Sequence, residues 1–359
     1  MMEKRNVLVA MSGGVDSAVC ASLLLDEGYA VEGMTMRLWC EGEDLPDGAC
    51  PALDRNCLDA MAVATRLGIP HHCVSRGETF RRTVVEPFIR AYAEGLTPNP
   101  CVECNRRIKF GYMVEQAKAL SFDALATGHY ARIEKTESGD YLLKKAKDEK
   151  KDQSYFLWSI SREVLPFLIL PLGDYTKEEI RRIAEEKALP VAHRSDSQDI
   201  CFIPDGDYVS FIAKHSDLTF PEGNFVDADG RVLGRHGGLI RYTVGQRKGL
   251  GIALGQPAFV GKISPEDNTV TLLSDGELYR NRLSASRVNW LCDGKVDAPL
   301  RVEAKIRYRH RPAAATVQLT DKERVSVIFD EPQRAITPGQ SVVFYDGDVL
   351  LGGGIIDPD

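Results

Sequence analysis

Residues 6–29 run NVLVAM, SGGVDS and AVCASLLLDEGY without a break. An apolar run of strand length, a turn built on two glycines and an apolar run of helical length predict a strand that turns at once into a helix. The same alternation recurs up to about residue 200. AVEGMTMRLW precedes the helix-like LDAMAVATRLG, HHCVS precedes TFRRTVVEPFIRAYAEG, and FDALATGHYARI follows KFGYMVEQAKAL. Strands separated by helices pair in parallel, so this part reads as an α/β domain with a parallel sheet covered by helices. From about residue 206 the helical patterns nearly vanish. GNFVDADGRVLGRHGG, PAFVGKISPEDNTVTLL, RVEAKIRYRH and SVVFYDGDVLLGGGIID read as short strands and Gly/Asp turns, with YDGDV a hairpin signal. A weaker break near SASRVNWLCDGKVDAP divides the β-rich half. The expected domains are residues 1–205, 206–282 and 283–359.

Composition limits the function classes. A chain of 359 residues exceeds one ordinary core, and 43% hydrophobic with 27% charged residues is the balance of a soluble globular protein. No apolar stretch approaches the roughly 20 residues that cross a bilayer. MMEKRN followed by VLVAM lacks the long apolar core of a secretion signal, so a cytoplasmic location without membrane attachment is expected. Nine cysteines in a chain of this size fit thiol chemistry or metal ligation better than a disulfide framework. With a net charge of −7, a nucleic-acid partner has to be met by local basic patches.

Ser12–Ser17 carries the first chemistry. Two glycines let backbone N–H groups approach an anion, Ser12 and Ser17 add hydroxyls, and the helix start adds partial positive charge. That describes a phosphate site, although it has neither the lysine of the mononucleotide P-loop nor the dinucleotide glycine spacing. Asp16 would hold a Mg²⁺ on phosphate oxygens or orient the loop. The plain structural alternative is a capped strand-to-helix turn. SGGVDS resembles the pyrophosphate loop (PP-loop) of the N-type ATP pyrophosphatases, with their adenine nucleotide alpha hydrolase-like fold. That resemblance implies cleavage of ATP between its α and β phosphates and adenylation of a substrate oxygen.

Four further stretches, TPNPCVECNRRIKF, LATGHYAR, KDQSYFLW and SDSQDICFI, followed by GRHGGLIRYTVGQRKGLGI, occur in this order over almost the full chain. Together they resemble the bacterial and organellar tRNA-specific 2-thiouridylases. The resemblance implies an ATP-dependent tRNA-uridine 2-sulfurtransferase that replaces the C2 oxygen of the wobble uridine (U34) in the tRNAs for Lys, Glu and Gln. It also implies a C-terminal β-barrel that contacts tRNA.

Cysteine reactivity requires a thiolate, favoured by cations and helix starts. Cys104 is followed by Arg106, Arg107 and Lys109, a pattern that predicts a lowered thiol pKa. By the resemblance Cys104 is the first catalytic cysteine, and Cys201 carries a persulfide whose sulfur attacks C2 of the adenylated base. AMP leaves, and a Cys104–Cys201 disulfide remains. A lone cysteine such as Cys201 in an apolar run would otherwise be an ordinary core thiol. Cys101 stands where many members of the family have Asp. Cys101-x-x-Cys104 with Cys201 would serve as three ligands of a [4Fe-4S] cluster or a zinc ion, a rival route for the sulfur. Cys40, Cys50 and Cys57 lie in a polar, acid-rich stretch with poor metal spacing, Cys20 and Cys73 read as core, and Cys292 has no assignment.

The resemblance also distributes the contacts. Ala10, Met11, Ser12, Gly13, Gly14, Val15, Asp16 and Ser17 would hold ATP with Mg²⁺, Met36 would pack the adenine, and Gly128 would let backbone approach the nucleotide. Asn99, Pro100 and Cys101 would border the target base, with Gln340 near it. His129 would orient the substrate or merely cap a strand. Lys151, Asp152 and Gln153 would meet the anticodon arm, and Arg307 and Tyr308 would meet tRNA from the barrel. Residues 144–151 hold five lysines against two acids, and 301–311 five basic residues against one acid. Both suit phosphate contacts, with Tyr155 and Tyr308 as stacking platforms, and each alone also fits a solvated charged face. A cysteine desulfurase, a sulfur-relay protein or free sulfide would donate the sulfur. Three other functions fit parts of the pattern: a small-molecule adenylating synthetase of the same ATP family, a thiolase of another tRNA base, and an RNA-binding protein with a vestigial loop.

Overall fold

A computed structural model describes residues 5–40, 46–48, 54–195, 200–292, 299–321 and 323–358. It comprises two units, each with its own interior.

The first unit, residues 1–84, 101–202 and 348–351, is built on five strands. These are β1 (Asn6–Ala10), β2 (Ala30–Arg37), β3 (His71–Ser75), β4 (Ala124–Thr127) and, after the hairpin β5 (Arg132–Lys135) and β6 (Tyr141–Lys144), the short β7 (Leu168–Ile169). Their order is β3-β2-β1-β4-β7 and every pairing is parallel. Val7, Leu8 and Val9 of β1 are fully buried, as a central strand covered on both faces requires. The helix α1 (Val15–Asp26) follows β1 directly and is apolar nearly all round, because it lies against the sheet and against α7 (Lys177–Glu186). Between them in sequence come α2 (Arg55–Leu67), α3 (Gly77–Phe80), α5 (Pro100–Cys104) and α6 (Met113–Ala119), together with α4 (Glu86–Ala93), whose residues belong to the second unit. A π-helical stretch, Asn105–Tyr112, joins α5 to α6. The parallel α/β architecture expected from the alternation is therefore present.

The second unit comprises residues 85–100, 203–347 and 352–359. After α8 (Tyr208–His215), strands β8 (Gly223–Val226), β9 (Val232–His236), β10 (Phe259–Ser264) and β11 (Thr269–Leu273) form a sheet in the order β10-β11-β8-β9. Phe225, Tyr242, Val260 and Val270 fill its core. Strands β12 (Tyr279–Trp290), β13 (Leu300–Lys305), β14 (Ala313–Asp321), β15 (Arg324–Arg334), β16 (Ser341–Asp346) and β17 (Val349–Ile356) form the barrel. It closes because β12 pairs with β15 on one side and β17 on the other. Closure leaves no free edge within the ring.

Candidate active site

The glycine loop sits at the carboxyl end of β1, where open parallel sheets present their ligand sites. Its shape is fixed internally. The Ser12 N–H donates to Ser17 Oγ at 3.1 Å, the Ser12 and Ser17 hydroxyls lie 3.3 Å apart, and Ser17 Oγ donates to the Gly14 carbonyl at 3.1 Å. Gly13 has φ +74°, and a Cβ there would collide with the backbone of Asn56 in α2. Only glycine satisfies both conditions. Met11 and Val15 are buried in the core, so this stretch has backbone N–H groups and the exposed Ser12 to offer a phosphate. Ala10 and Met36 are partly exposed near the carboxyl ends of neighbouring strands β1 and β2.

Asp16 is already engaged. Its Oδ1 accepts from Tyr130 Oη at 2.8 Å and from Lys177 Nζ at 2.6 Å. Lys177 is buried at the first position of α7, behind a capping box formed by Thr176 and Glu179. No short-range pattern couples residues 16, 130 and 177, so the sequence reading missed this trio. Asp16 thus has one carboxylate oxygen held by a phenol and an ammonium. Gly128 also packs closely within the fold. A Cβ on it would lie 2.8 Å from the Asp16 carbonyl carbon and 2.9 Å from the Ser17 N, so the space it leaves is filled by the first turn of α1.

Cys104 ends α5 and is buried, whereas Cys101 and Cys201 are exposed. Burial pushes the Cys104 thiol up to about 12, against the opposing pull of Lys109, and the nearby Cys201 and Cys101 add to the rise. This reverses the expected lowered pKa. Arg106 and Arg107, counted as its cations, instead pair with Glu103 at 3.7 and 3.5 Å, leaving desolvation to outweigh Lys109. Although the Cys101 and Cys201 thiols reach solvent, the protein packed around them raises both, and each senses Lys109. Backbone N–H groups of Cys201 and Phe202 favour the Cys201 thiolate in opposition. Cys104 thus senses two other thiols, one of them about a hundred residues away in sequence.

Among the described residues no three His, Cys, Asp or Glu side chains converge as a bound metal ion requires. Cys101, Cys104 and Cys201 are therefore not gathered around a single ion as a zinc site requires, and no chemical step is routed through a metal. His129 is buried with its Nδ1 2.7 Å from Thr127 Oγ1 and its ring 5.3 Å from that of Phe110. Burial, reinforced by Lys109, holds its pKa well below the usual imidazole range, so the ring is neutral at pH 7.

Several expected RNA contacts face inward. Asp152 is buried, and its carboxylate accepts from the N–H groups of Ala146 and Ser154 and from the Ser154 hydroxyl. Gln153 is tied to Tyr130, whose N–H donates to its Oε1 at 2.9 Å. Tyr155 is fully buried and offers no stacking face. The KDQSYF motif is thus largely a structural corner, with partly exposed Lys151 beside it. In the second unit Arg307 donates to the Arg334 carbonyl, and Lys305 Nζ stands 5.5 Å over the Tyr308 ring. Gln340 Nε2 donates to the Thr97 carbonyl at 2.8 Å, two residues before Asn99; Asn99 is partly exposed and Pro100 buried.

Cys57 differs from expectation too. Asp54 caps α2 by accepting from the Cys57 N–H at 2.8 Å, which draws Cys57 out of the polar stretch into the core. Its Sγ lies 2.8 Å from that of Cys73. Cys50 lies outside the described residues, and Cys20 is core as expected.

Family models match the chain in three consecutive parts: a tRNA methyl transferase HUP domain over residues 5–205, a tRNA methyl transferase PRC-barrel domain over 209–274, and an aminomethyltransferase β-barrel domain over 280–356. Curated relatives match end to end. The tRNA-specific 2-thiouridylase MnmA of Clostridioides difficile is 46% identical over 359 residues, covering 99% of each chain. Those of Carboxydothermus hydrogenoformans and Clostridium kluyveri are each 47% identical, the first covering 99% of this chain and 98% of the relative, the second 98% and 99%. A parallel α/β unit with a glycine loop, a closed β-barrel and full-length identity at this level lead to one conclusion: the chain belongs to the tRNA-specific 2-thiouridylases, a family of sulfurtransferase enzymes.

Proposed function

We propose that this enzyme uses ATP to replace the C2 oxygen of the wobble uridine with sulfur in the tRNAs for Lys, Glu and Gln. The observation that carries the reading is that Cys201, far away in sequence, lies near enough to Cys104 to raise its thiol, within the unit that also holds the glycine loop. Two domain models take their descriptions from methyl transfer, but a methyl transferase has no need of two such thiols.

In the proposed reaction, backbone N–H groups of Gly13–Asp16 and the Ser12 hydroxyl would hold the phosphates, the buried Ser17 hydroxyl would brace the loop behind them, and Mg²⁺, when bound, would neutralise their charge. Ala10 and Met36 line the adenine side. The uridine O2 attacks the α-phosphorus, pyrophosphate departs, and a poor leaving oxygen becomes the good leaving group AMP. The outer sulfur of a Cys201 persulfide then attacks C2 and AMP leaves, giving a C2–S–S–Cys201 intermediate. The Cys104 thiolate attacks the Cys201 sulfur, releasing the C2 thione and forming the Cys104–Cys201 disulfide. The two electrons gained by the transferred sulfur come from these two thiols, and a dithiol reductant resets them. A cysteine desulfurase or a sulfur-relay protein supplies the sulfur as a persulfide, whereas free sulfide, two electrons more reduced, would load Cys201 only by opening the Cys104–Cys201 disulfide. Neutral His129 and the Asn99–Cys101 segment would flank the flipped-out base, and Lys151, Arg307, Tyr308 and Gln340 would meet the tRNA. In this scheme residues 1–205 carry the chemistry, 206–282 form a connecting domain and 283–359 bind tRNA.

The test is mass spectrometry of nucleosides from tRNA incubated with protein, ATP and a persulfide donor. Wild type should yield 2-thiouridine at the wobble position, while C104S and C201S should yield none yet still form AMP when tRNA is present. Absence of the thiolated nucleoside with wild type defeats the proposal. Iron, zinc and labile-sulfide assays on protein purified without oxygen test the choice of persulfide over cluster, and stoichiometric iron with sulfide would reverse it.

A further inference from the structure

The segment leading towards Cys201 reaches back to the glycine loop through one side chain. Arg194 Nη1 donates to the Gly13 carbonyl at 2.7 Å and to Asp59 Oδ2 at 2.5 Å, and its Nη2 donates to Asn56 Oδ1 at 2.6 Å. Three acceptors on two elements, the loop and α2, thus converge on one planar guanidinium. A lysine could not match this fork.

The bond to Gly13 has a geometric consequence. The Gly13 C=O and the Gly14 N–H belong to one trans peptide and point in opposite directions. Fixing the carbonyl on Arg194 aims that N–H away from the guanidinium, off the other face of the loop. Asn56 supports the same peptide from below, since its backbone fills the space a Gly13 side chain would need. We propose that Arg194 is a positioning residue for ATP: it locks the Gly13–Gly14 peptide in the orientation that presents the Gly14 N–H to a phosphate. The proposal rests on the reading of Ser12–Ser17 as the ATP loop.

The alternative role for Arg194 is a latch that merely fastens the 191–195 segment to α2 through Asp59. Three variants separate the two: R194M removes every bond, R194K keeps the charge but satisfies one acceptor at a time, and D59N breaks the ion pair while leaving the Gly13 bond. KM for ATP and for tRNA, together with melting temperature, should be measured for each. R194M is expected to raise KM for ATP at least tenfold with KM for tRNA within twofold of wild type, and R194K should fall between. D59N is expected to lower the melting temperature about as much as R194M while leaving KM for ATP near wild type. An unchanged KM for ATP in R194M and R194K, or an equal rise in D59N, overturns the proposal. Wild-type protein that fails to bind ATP in equilibrium dialysis instead removes the ATP reading on which it rests.

Discussion

Cys104 shows how far a residue's surroundings depart from its neighbours in sequence. Three cations follow it within five positions, yet two are drawn to Glu103, and burial dominates the balance. A thiol pushed up to about 12 by burial holds very little thiolate at neutral pH. Iodoacetamide at pH 8 should therefore label the exposed Cys101 and Cys201 well before Cys104, as peptide mass spectrometry would record. Early labelling of Cys104 in folded protein would contradict its burial. His129 makes the complementary case. Its folded pKa lies well below the ordinary 6.5, so as pH falls below 6.5 the unfolded chain takes up a proton that the folded chain refuses. Stability from this site is complete above that value and declines with acidification. Denaturant titrations from pH 7.5 to 5 should show a slope that is reduced in H129N.

At the level of elements, periodicity revealed β1, α1 and the turn between them, because a covered strand and a buried helix are both written in runs of apolar residues. Side chains that join elements left no such trace. Lys177 follows the helix-start pattern T-K-E-E, which announces α7, but nothing in that pattern shows its ammonium resting on Asp16. Cys57 was misread for a related reason: its surroundings in sequence are acidic, while Asp54 turns those residues into a helix whose third position faces inward. K177M leaves the partly exposed Asp16 carboxylate without its cation and should cost about 1–3 kcal/mol by denaturant unfolding, below a fully buried pair because water still reaches Asp16. G128A forces the end of β4 away from the first turn of α1. It should cost a similar amount, about 1–3 kcal/mol, and raise KM for ATP, whereas a nucleotide-facing role alone would leave stability untouched.

For the whole molecule, the switch from helix-rich to strand-rich sequence located the β-rich half, and alternating apolar residues such as Val325 and Val327 in β15 mark the inward face of its barrel. Charge counts were less informative. Lys144 pairs with Glu134 and Asp348, and Arg301 makes a two-pronged pair with Asp330, so part of each basic patch is neutralised internally. Arg309 and Arg311 remain exposed. Changing both to Ala should reduce the dependence of log K for tRNA on log salt concentration by about 1 for each arginine that meets a phosphate. An unchanged slope would place the RNA elsewhere on the protein.

The tie between Gln340 and Thr97 bears on how the molecule comes into being. Residues 85–100 fold with the second unit, where the Thr97 N–H donates to the Pro338 carbonyl and its own carbonyl accepts from Gln340. During synthesis the stretch that delivers the chain to Cys101 and Cys104 is made early, but the partners that hold it arrive some 240 residues later. Residues 85–100 therefore gain these partners only once the barrel has been translated, long after the neighbouring cysteines have left the synthesis machinery.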